Sequence, residues 1–224
     1  MSKGPLGFID AGQCEQELPC IWDEPPQVAF STLILGHGAG APMDSPFMQQ
    51  MAQGLAARGV RVVRFEFAYM AQRRVDGRKR PPNPQAQLLQ QWREVHAQVR
   101  QQVAGPLAIG GKSMGGRMAS LLADELDVAA LICLGYPFYA AGKPEKPRVA
   151  HLAELRTPTL IVQGERDALG NREAVAGYDL SPAIALHWLQ AADHDLKPLK
   201  ASGFSHEQHL DSAAQVIARH LGGR

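Results

Sequence analysis

The segment from Gly110 to Met118 constrains this chain more than any other, because it sets a serine between glycines directly after the apolar run Leu107 to Ile109. Gly111-Lys112-Ser113-Met114-Gly115 has the Gly-x-Ser-x-Gly form of a nucleophile elbow, where a strand turns into a helix so sharply that the serine is held in a strained conformation. Side chains at the flanking positions would collide with neighbouring backbone, and Gly111 and Gly115 remove them. Met114 to Leu126 can continue as a helix that buries Met118, Leu121, Leu122 and Leu126. Strand, elbow and helix therefore come in the required order.

From Thr32 onward, short apolar runs alternate with longer amphipathic segments, the pattern of an α/β protein with a mostly parallel central sheet and helices on both faces. The expected strands are Thr32 to Leu35, Val60 to Phe67, Leu107 to Ile109, Val128 to Leu134, Thr159 to Gln163 and Ala183 to Leu189. The expected helices are Pro46 to Arg58, Pro84 to Val103, Met114 to Leu126, a short one near Arg148 to Leu155, and Ser205 to Leu221 with Ser205 as its cap. Residues 6 to 30 have room for one or two antiparallel edge strands. Between Tyr136 and Thr157 three prolines leave space for one short helix and no large lid, so an open site is expected.

At 224 residues, with no repeat and no linker, the chain reads as one domain over 1–224, large enough to bury about 70 to 75% of its extended surface. A formal net charge of +1 supplies no general attraction to nucleic acid or to an anionic membrane. The first ten residues lack the apolar run of a leader, and no stretch is long enough to span a bilayer, which points to a cytoplasmic protein. Cys14, Cys20 and Cys133 have no metal-site spacing, and a Cys14 to Cys20 disulfide is disfavoured in a reducing compartment.

Ligands of open α/β sheets sit beyond the carboxyl ends of the strands, so residues just after each apolar run belong together. Ser113 follows one such run, Asp167 follows Thr159 to Gln163, and His194 follows Ala183 to Leu189, in the chain order serine, acid, histidine. Glu165, Asp193 and Asp195 are alternative acids. A serine hydroxyl is a poor nucleophile at neutral pH, so a histidine must take its proton during attack and a carboxylate must orient that ring.

Gly-Lys-Ser-Met-Gly, Gly-Glu-Arg-Asp, Ala-Asp-His and the early His37-Gly38-Ala39-Gly40 resemble the motifs of the α/β-hydrolase superfamily, whose triad has this order. His-Gly-Ala-Gly-Ala-Pro-Met-Asp-Ser with Gly-Gly-Lys-Ser-Met-Gly-Gly-Arg resembles, more narrowly, its small, lid-less, dienelactone-hydrolase-like branch, which includes testis-expressed-30-like hydrolases. The similarity covers about residues 30 to 222, with Ser113 where dienelactone hydrolases proper carry cysteine. It implies a serine hydrolase of esters or thioesters, with Ser113, Asp167 and His194 as triad and the Met114 and Ala39 amides as oxyanion hole. No cofactor and no metal are implied.

Other residues receive secondary readings. His37 is expected to hydrogen-bond within its own loop, and Lys112 to be structural or rim-forming with its side chain turned from the reacting atom. Gly40 and Tyr136, with Phe138, Tyr139 and Met43, are candidates for the substrate rim. Arg73, Arg74, Arg78, Lys79 and Arg80, opposed only by Asp76, read first as a solvated loop and second as a recognition element for an anionic substrate.

Two nucleotide-binding readings fail on spacing. A P-loop ending in Gly111-Lys112-Ser113 needs glycine at position 106, which is Pro106. A dinucleotide fingerprint on Gly36 and Gly38 needs its third glycine at 41, which is Ala41, and Pro42 and Pro46 delay the following helix. A catalytically silent binding module of the same fold is the remaining rival.

Overall fold

The computed structural model describes residues 18–223. Seven strands form one sheet in the order β1-β3-β2-β4-β5-β8-β9. These are β1 (Cys20–Asp23), β2 (Ser31–Gly36), β3 (Val60–Phe65), β4 (Leu107–Lys112), β5 (Leu131–Leu134), β8 (Thr159–Gly164) and β9 (Ile184–Leu189). Only β1 runs antiparallel, at the edge against β3, and it is the single edge strand among the described residues before Ser31. The rest are parallel, as helical crossovers require.

The strands alternate their side chains between two cores. Ile34, Val63 and Phe65 face one side, where α3 (Gln85–Gln102) and α4 (Met114–Ser120) contribute Leu88, Trp92 and Met118. Leu33, Leu35 and Val62 face the other, against Met48, Met51 and Leu55 of α1 (Pro46–Ala56) and Leu210 and Ile217 of α6 (His206–Leu221). Both faces of the central strands are therefore covered, which is why they read as continuous apolar runs. Ser205 caps α6 with a reciprocal pair of bonds to Gln208, as its sequence position indicates.

Several elements depart from expectation. The segment after β3 is helical: α2 (Ala68–Asp76) ends at Gly77, which adopts a left-handed conformation with φ 70° and returns its amide to the Arg73 carbonyl. Arg73 and Arg74 thus lie on a helix and not in a loop. Helix α4 stops at Ser120, whose hydroxyl bonds back to the Arg117 carbonyl at 2.8 Å and competes with helix continuation. Strand β5 starts at Leu131 because Asp127, at φ 48°, turns the chain just before it.

Between β5 and β8 stands a small hairpin, β6 (Tyr139–Ala140) with β7 (Lys143–Pro147), then a single 3-10 turn at Ala150–Leu152. A further short helix, α5 (Arg172–Ala176), follows β8. No described helix is long and apolar enough to cross a membrane. Cys14, and with it the disulfide considered between Cys14 and Cys20, lies outside the described residues.

Candidate active site

Ser113 occupies the turn between β4 and α4 at φ 52° and ψ −114°, a left-handed conformation that a non-glycine residue adopts only under constraint. The constraint is close packing of strand ends. A Cβ on Gly111 would stand 2.5 Å from the Gly36 carbonyl oxygen, and one on Gly115 would press on the same carbonyl. Alanine at Gly111 would push β4 from β2, and at Gly115 α4 from β2, at the point where Ser113 is aimed.

The Ser113 hydroxyl meets His194 Nε2 at 2.9 Å, and His194 Nδ1 meets Asp167 Oδ2 at 2.8 Å. An ionised carboxylate only accepts, so Nδ1 carries the ring proton and Nε2 is free to accept from Ser113. Asp167 is fully buried. Its Oδ1 accepts the Leu169 amide at 2.7 Å and its Oδ2 also accepts Gln163 Nε2 at 2.8 Å. Gln163, itself buried next to the end of β8, spans the carbonyls of Tyr136 and Gly170 and accepts the Tyr136 amide. Sequence reading passed over Gln163, because a polar residue ending a strand looks like any other strand terminus.

The competing acids are engaged elsewhere. Glu165 accepts the Ala191 amide and pairs with Arg172. Asp193 accepts the amides of Asp195 and Lys197. Asp195 pairs with Lys112 at 3.1 Å.

The loop after β2 is held by His37, which is fully buried. Its Nε2 accepts the Phe67 amide at 3.0 Å, so its Nδ1 must carry the proton and donate to the Gly38 carbonyl at 2.7 Å. Burial lowers its pKa, more than the Gly38 bond and Glu66 raise it, and Arg74 adds to the lowering. The next carbonyl, Ala39, accepts the Tyr69 hydroxyl at 3.0 Å. Among the described residues, the amides of Ala39 and Met114 find no backbone acceptor. Met114 is the first residue of α4, where amides have no intrahelical partner and the helix dipole favours negative charge.

Lys112, read as structural or rim-forming, borders the cleft that Ser113 lines. Its ammonium donates to the His194 carbonyl at 2.8 Å, reaches Asp195 and lies over the Phe47 ring, 5.6 Å from its centroid. Burial pushes the Lys112 pKa down, and the nearby carboxylates, Asp195 foremost, oppose that. Gly40 lines the cleft beside Ser113. Tyr136 does not reach the rim: it is fully buried, stacked edge-on against Phe138, with its hydroxyl donating to the Arg148 carbonyl. Phe138 is buried as well, and of this aromatic group only Tyr139 lines a cleft that Ser113 also lines.

The basic cluster is largely spent on its own neighbours. Arg74 pairs with Glu66 and with Asp44, and Arg80 pairs with Asp76. Arg73 and Arg74 border a small cleft that Ser113 does not line.

A second serine–histidine contact, Ser120 Oγ to His151 Nε2 at 2.8 Å, has a different character. Ser120 is buried and its hydroxyl already donates to the Arg117 carbonyl, so His151 donates to it and takes no proton from it. Among the described residues no group of three or more potential metal-binding side chains gathers in one place.

A mostly parallel seven-strand sheet with Ser113, Asp167 and His194 at the carboxyl ends of its strands is the architecture of an α/β hydrolase. The chain belongs to the alpha/beta hydrolase domain family, whose sequence profile matches residues 29–222. Its fold is shared with an α/β serine hydrolase homologue from Coxiella burnetii, at a TM-score of 0.69 with 20% identity over 89% of each chain. A lid-less α/β serine hydrolase from Xanthomonas campestris superposes at 0.65, with 22% identity over 90% of this chain and 86% of that one. A dienelactone hydrolase from Anabaena variabilis does so at 0.65, with 18% identity over 88% and 87%. In sequence, a carboxymethylenebutenolidase from Pseudomonas sp. (strain P51) is 30% identical over 117 residues, which are 50% of this chain and 46% of that protein. The matched stretch spans about half the length of that relative.

Proposed function

We propose that this protein is a serine hydrolase acting on small carboxylic esters or thioesters through an acyl-serine intermediate, with no cofactor. The observation that carries the reading is the unbroken run Asp167–His194–Ser113, two bonds of 2.8 and 2.9 Å ending on a serine strained at the head of α4.

In this reading Ser113 Oγ attacks the carbonyl carbon and its proton passes to His194 Nε2, giving an imidazolium that buried Asp167 stabilises. The carbonyl oxygen becomes an oxyanion beside the Met114 and Ala39 amides, which are fixed before reaction by α4 and by the His37 and Tyr69 bonds to the loop. Collapse expels the leaving alcohol or thiol, which takes the proton from His194 Nε2. Water then attacks the acyl-serine with His194 again as base, releasing the acid and restoring Ser113.

A fluorophosphonate probe and intact-mass measurement test this. One adduct on the wild type and none on Ser113→Ala is the expected result. A folded wild type that takes no adduct would leave the silent binding module as the better reading.

A further inference from the structure

Two clefts meet at Ser113 and Ala39. One, of about 360 Å³, is bordered by Phe47, Lys112, His194 and Asp195. The other, of about 410 Å³, is bordered by Leu88, Met118, Tyr139, Leu169, Arg117 and Arg148. The chemistry proposed above, on which this inference rests, assigns them. His194 must hand its proton to the leaving atom, and it borders the first cleft only, so the leaving group departs on that side and the acyl group occupies the second.

The second cleft contains two cations without an acidic partner. Arg58, Arg61, Arg64, Arg74, Arg80, Arg93, Arg156 and Arg172 each pair with an aspartate or glutamate. Neither Arg117 nor Arg148 does so among the described residues. Arg117 is half-buried, its Nε is buried with no hydrogen-bond partner, and its single side-chain contact is a 3.2 Å bond to the neutral Gln85 amide. Burial pushes its pKa down; Tyr136 opposes that shift, and Arg148 adds to it as the smallest of the three influences. A half-buried guanidinium with a buried donor unsatisfied, and a second guanidinium on the same cleft wall, is costly unless an anion completes it.

We infer that Arg117 and Arg148 form a carboxylate subsite, and that the preferred acyl groups carry a second carboxylate at their far end. Substrates are then half-esters or half-thioesters of dicarboxylic acids. Arg117 lies one helical turn beyond Ser113, a spacing of about 6 Å between side-chain origins, so the anion sits a short chain away from the reacting carbonyl. Leu88, Met118 and Leu169 supply the apolar wall for the intervening methylenes. A planar guanidinium fork matches a carboxylate in two parallel bonds, which an ammonium cannot.

The test compares phenyl half-esters of succinate, glutarate and adipate with phenyl butyrate, valerate and hexanoate of equal chain length. The wild type should favour a half-ester in kcat/KM by at least about tenfold. Arg117→Gln and Arg148→Gln should each lower the half-ester to neutral-ester ratio by about tenfold to a hundredfold, the range for one charge-assisted bond. Wild-type preference for the neutral series, or a ratio unmoved by both variants, overturns the subsite. Arg148 is exposed beside the hairpin, so its variant carries the test if Arg117→Gln does not fold.

Fluorophosphonate labelling separates the two levels of inference. Normal labelling with no half-ester preference rejects the carboxylate subsite and leaves the serine hydrolase intact. No labelling rejects the hydrolase. The subsite is then judged by calorimetry with glutarate itself, where binding to the wild type that is lost in Arg117→Gln sustains it and absence of binding rejects it.

Discussion

The frame of the site and its walls are built in different ways. Ser113, Asp167 and His194 project from strand ends whose positions follow from backbone packing: Gly111 and Gly115 admit the Gly36 carbonyl, and Gln163 ties Asp167 to the Tyr136 and Gly170 carbonyls. The walls are set by which side chain finds which partner. On one side Arg74 is neutralised by Glu66 and Asp44, while on the other Arg117 and Arg148 border the proposed acyl cleft with no acidic partner among the described residues. Strand ends constrain atoms to a fraction of an ångström, whereas a wall arginine keeps or loses its availability through one neighbouring carboxylate. Frame residues should therefore act on every substrate alike, and wall residues should act on the difference between substrates.

The largest effect expected from the frame is loss of the reaction itself. Ser113→Ala or His194→Ala should reduce kcat by about 10⁴ to 10⁶ for neutral and anionic acyl groups equally, and Asp167→Asn by about 10⁴. Steady-state rates with phenyl valerate and phenyl glutarate check both claims. A variant that spared one series would show that the frame is not common to both.

Lys112 tests whether frame and wall can be separated at all, since it belongs to β4 yet borders the leaving-group cleft. Its bond to the His194 carbonyl is the tie that spans from the nucleophile strand to the histidine loop. Lys112→Met keeps most of the chain volume but removes the ammonium, and with it that tie, the Asp195 pair and the cation contact with Phe47. We expect kcat to fall by about tenfold to a hundredfold with KM little altered, because small errors in placing His194 weaken proton transfer more than binding. An increase confined to KM would make Lys112 a substrate-contacting residue.

The frame was legible in the sequence for a physical reason. Glycine between apolar strand and helix, and a histidine just past the last strand, are local patterns imposed by sterics and strand-end geometry. The choice among Asp167, Glu165, Asp193 and Asp195 was not legible, because it depends on Gln163, Arg172 and Lys112 reaching them from other elements. The partners of Lys112, read as structural or rim-forming, were not legible for the same reason. The elbow sets its Cα, but a four-carbon chain can bend back over Phe47 toward a loop 82 residues later. Tyr136 was read as rim because an aromatic after a strand suits either place, and only the Arg148 carbonyl and Phe138 decide for the interior. Helix α2 had a visible signal in Gly77, masked by the polar composition ahead of it.

Arg74 probes the wall that is already neutralised. Arg74→Gln should leave the half-ester to neutral-ester ratio within about twofold of the wild type, because its charge is committed to Glu66 and Asp44. It should instead lower the melting temperature, since Glu66 is buried and, among the described residues, its carboxylate keeps the Met43 amide alone as a partner, at 3.2 Å. A selective rise in KM for half-esters would move anion recognition from Arg117 to the α2 side.

The smallest expected effect separates frame from wall by pH. His37 is neutral in the folded protein, with a pKa lowered from 6.5 mainly by burial, so the unfolded chain binds a proton that the folded one refuses. Its stabilising contribution is complete above about pH 6.5 and is lost as pH falls toward the lowered folded value. His96, His151, His187 and His220 are shifted the same way by burial and add to acid sensitivity. His37→Gln keeps an acceptor for the Phe67 amide and removes this one titration. Urea melts at pH 7.5 and pH 5.5 should show a smaller loss of stability on acidification in the variant than in the wild type. Because the loop carrying Ala39 hangs on the His37 bond to Gly38, the variant should also lose some kcat at pH 7.5, equally for neutral and anionic acyl groups. An unequal loss would place the His37 loop among the walls.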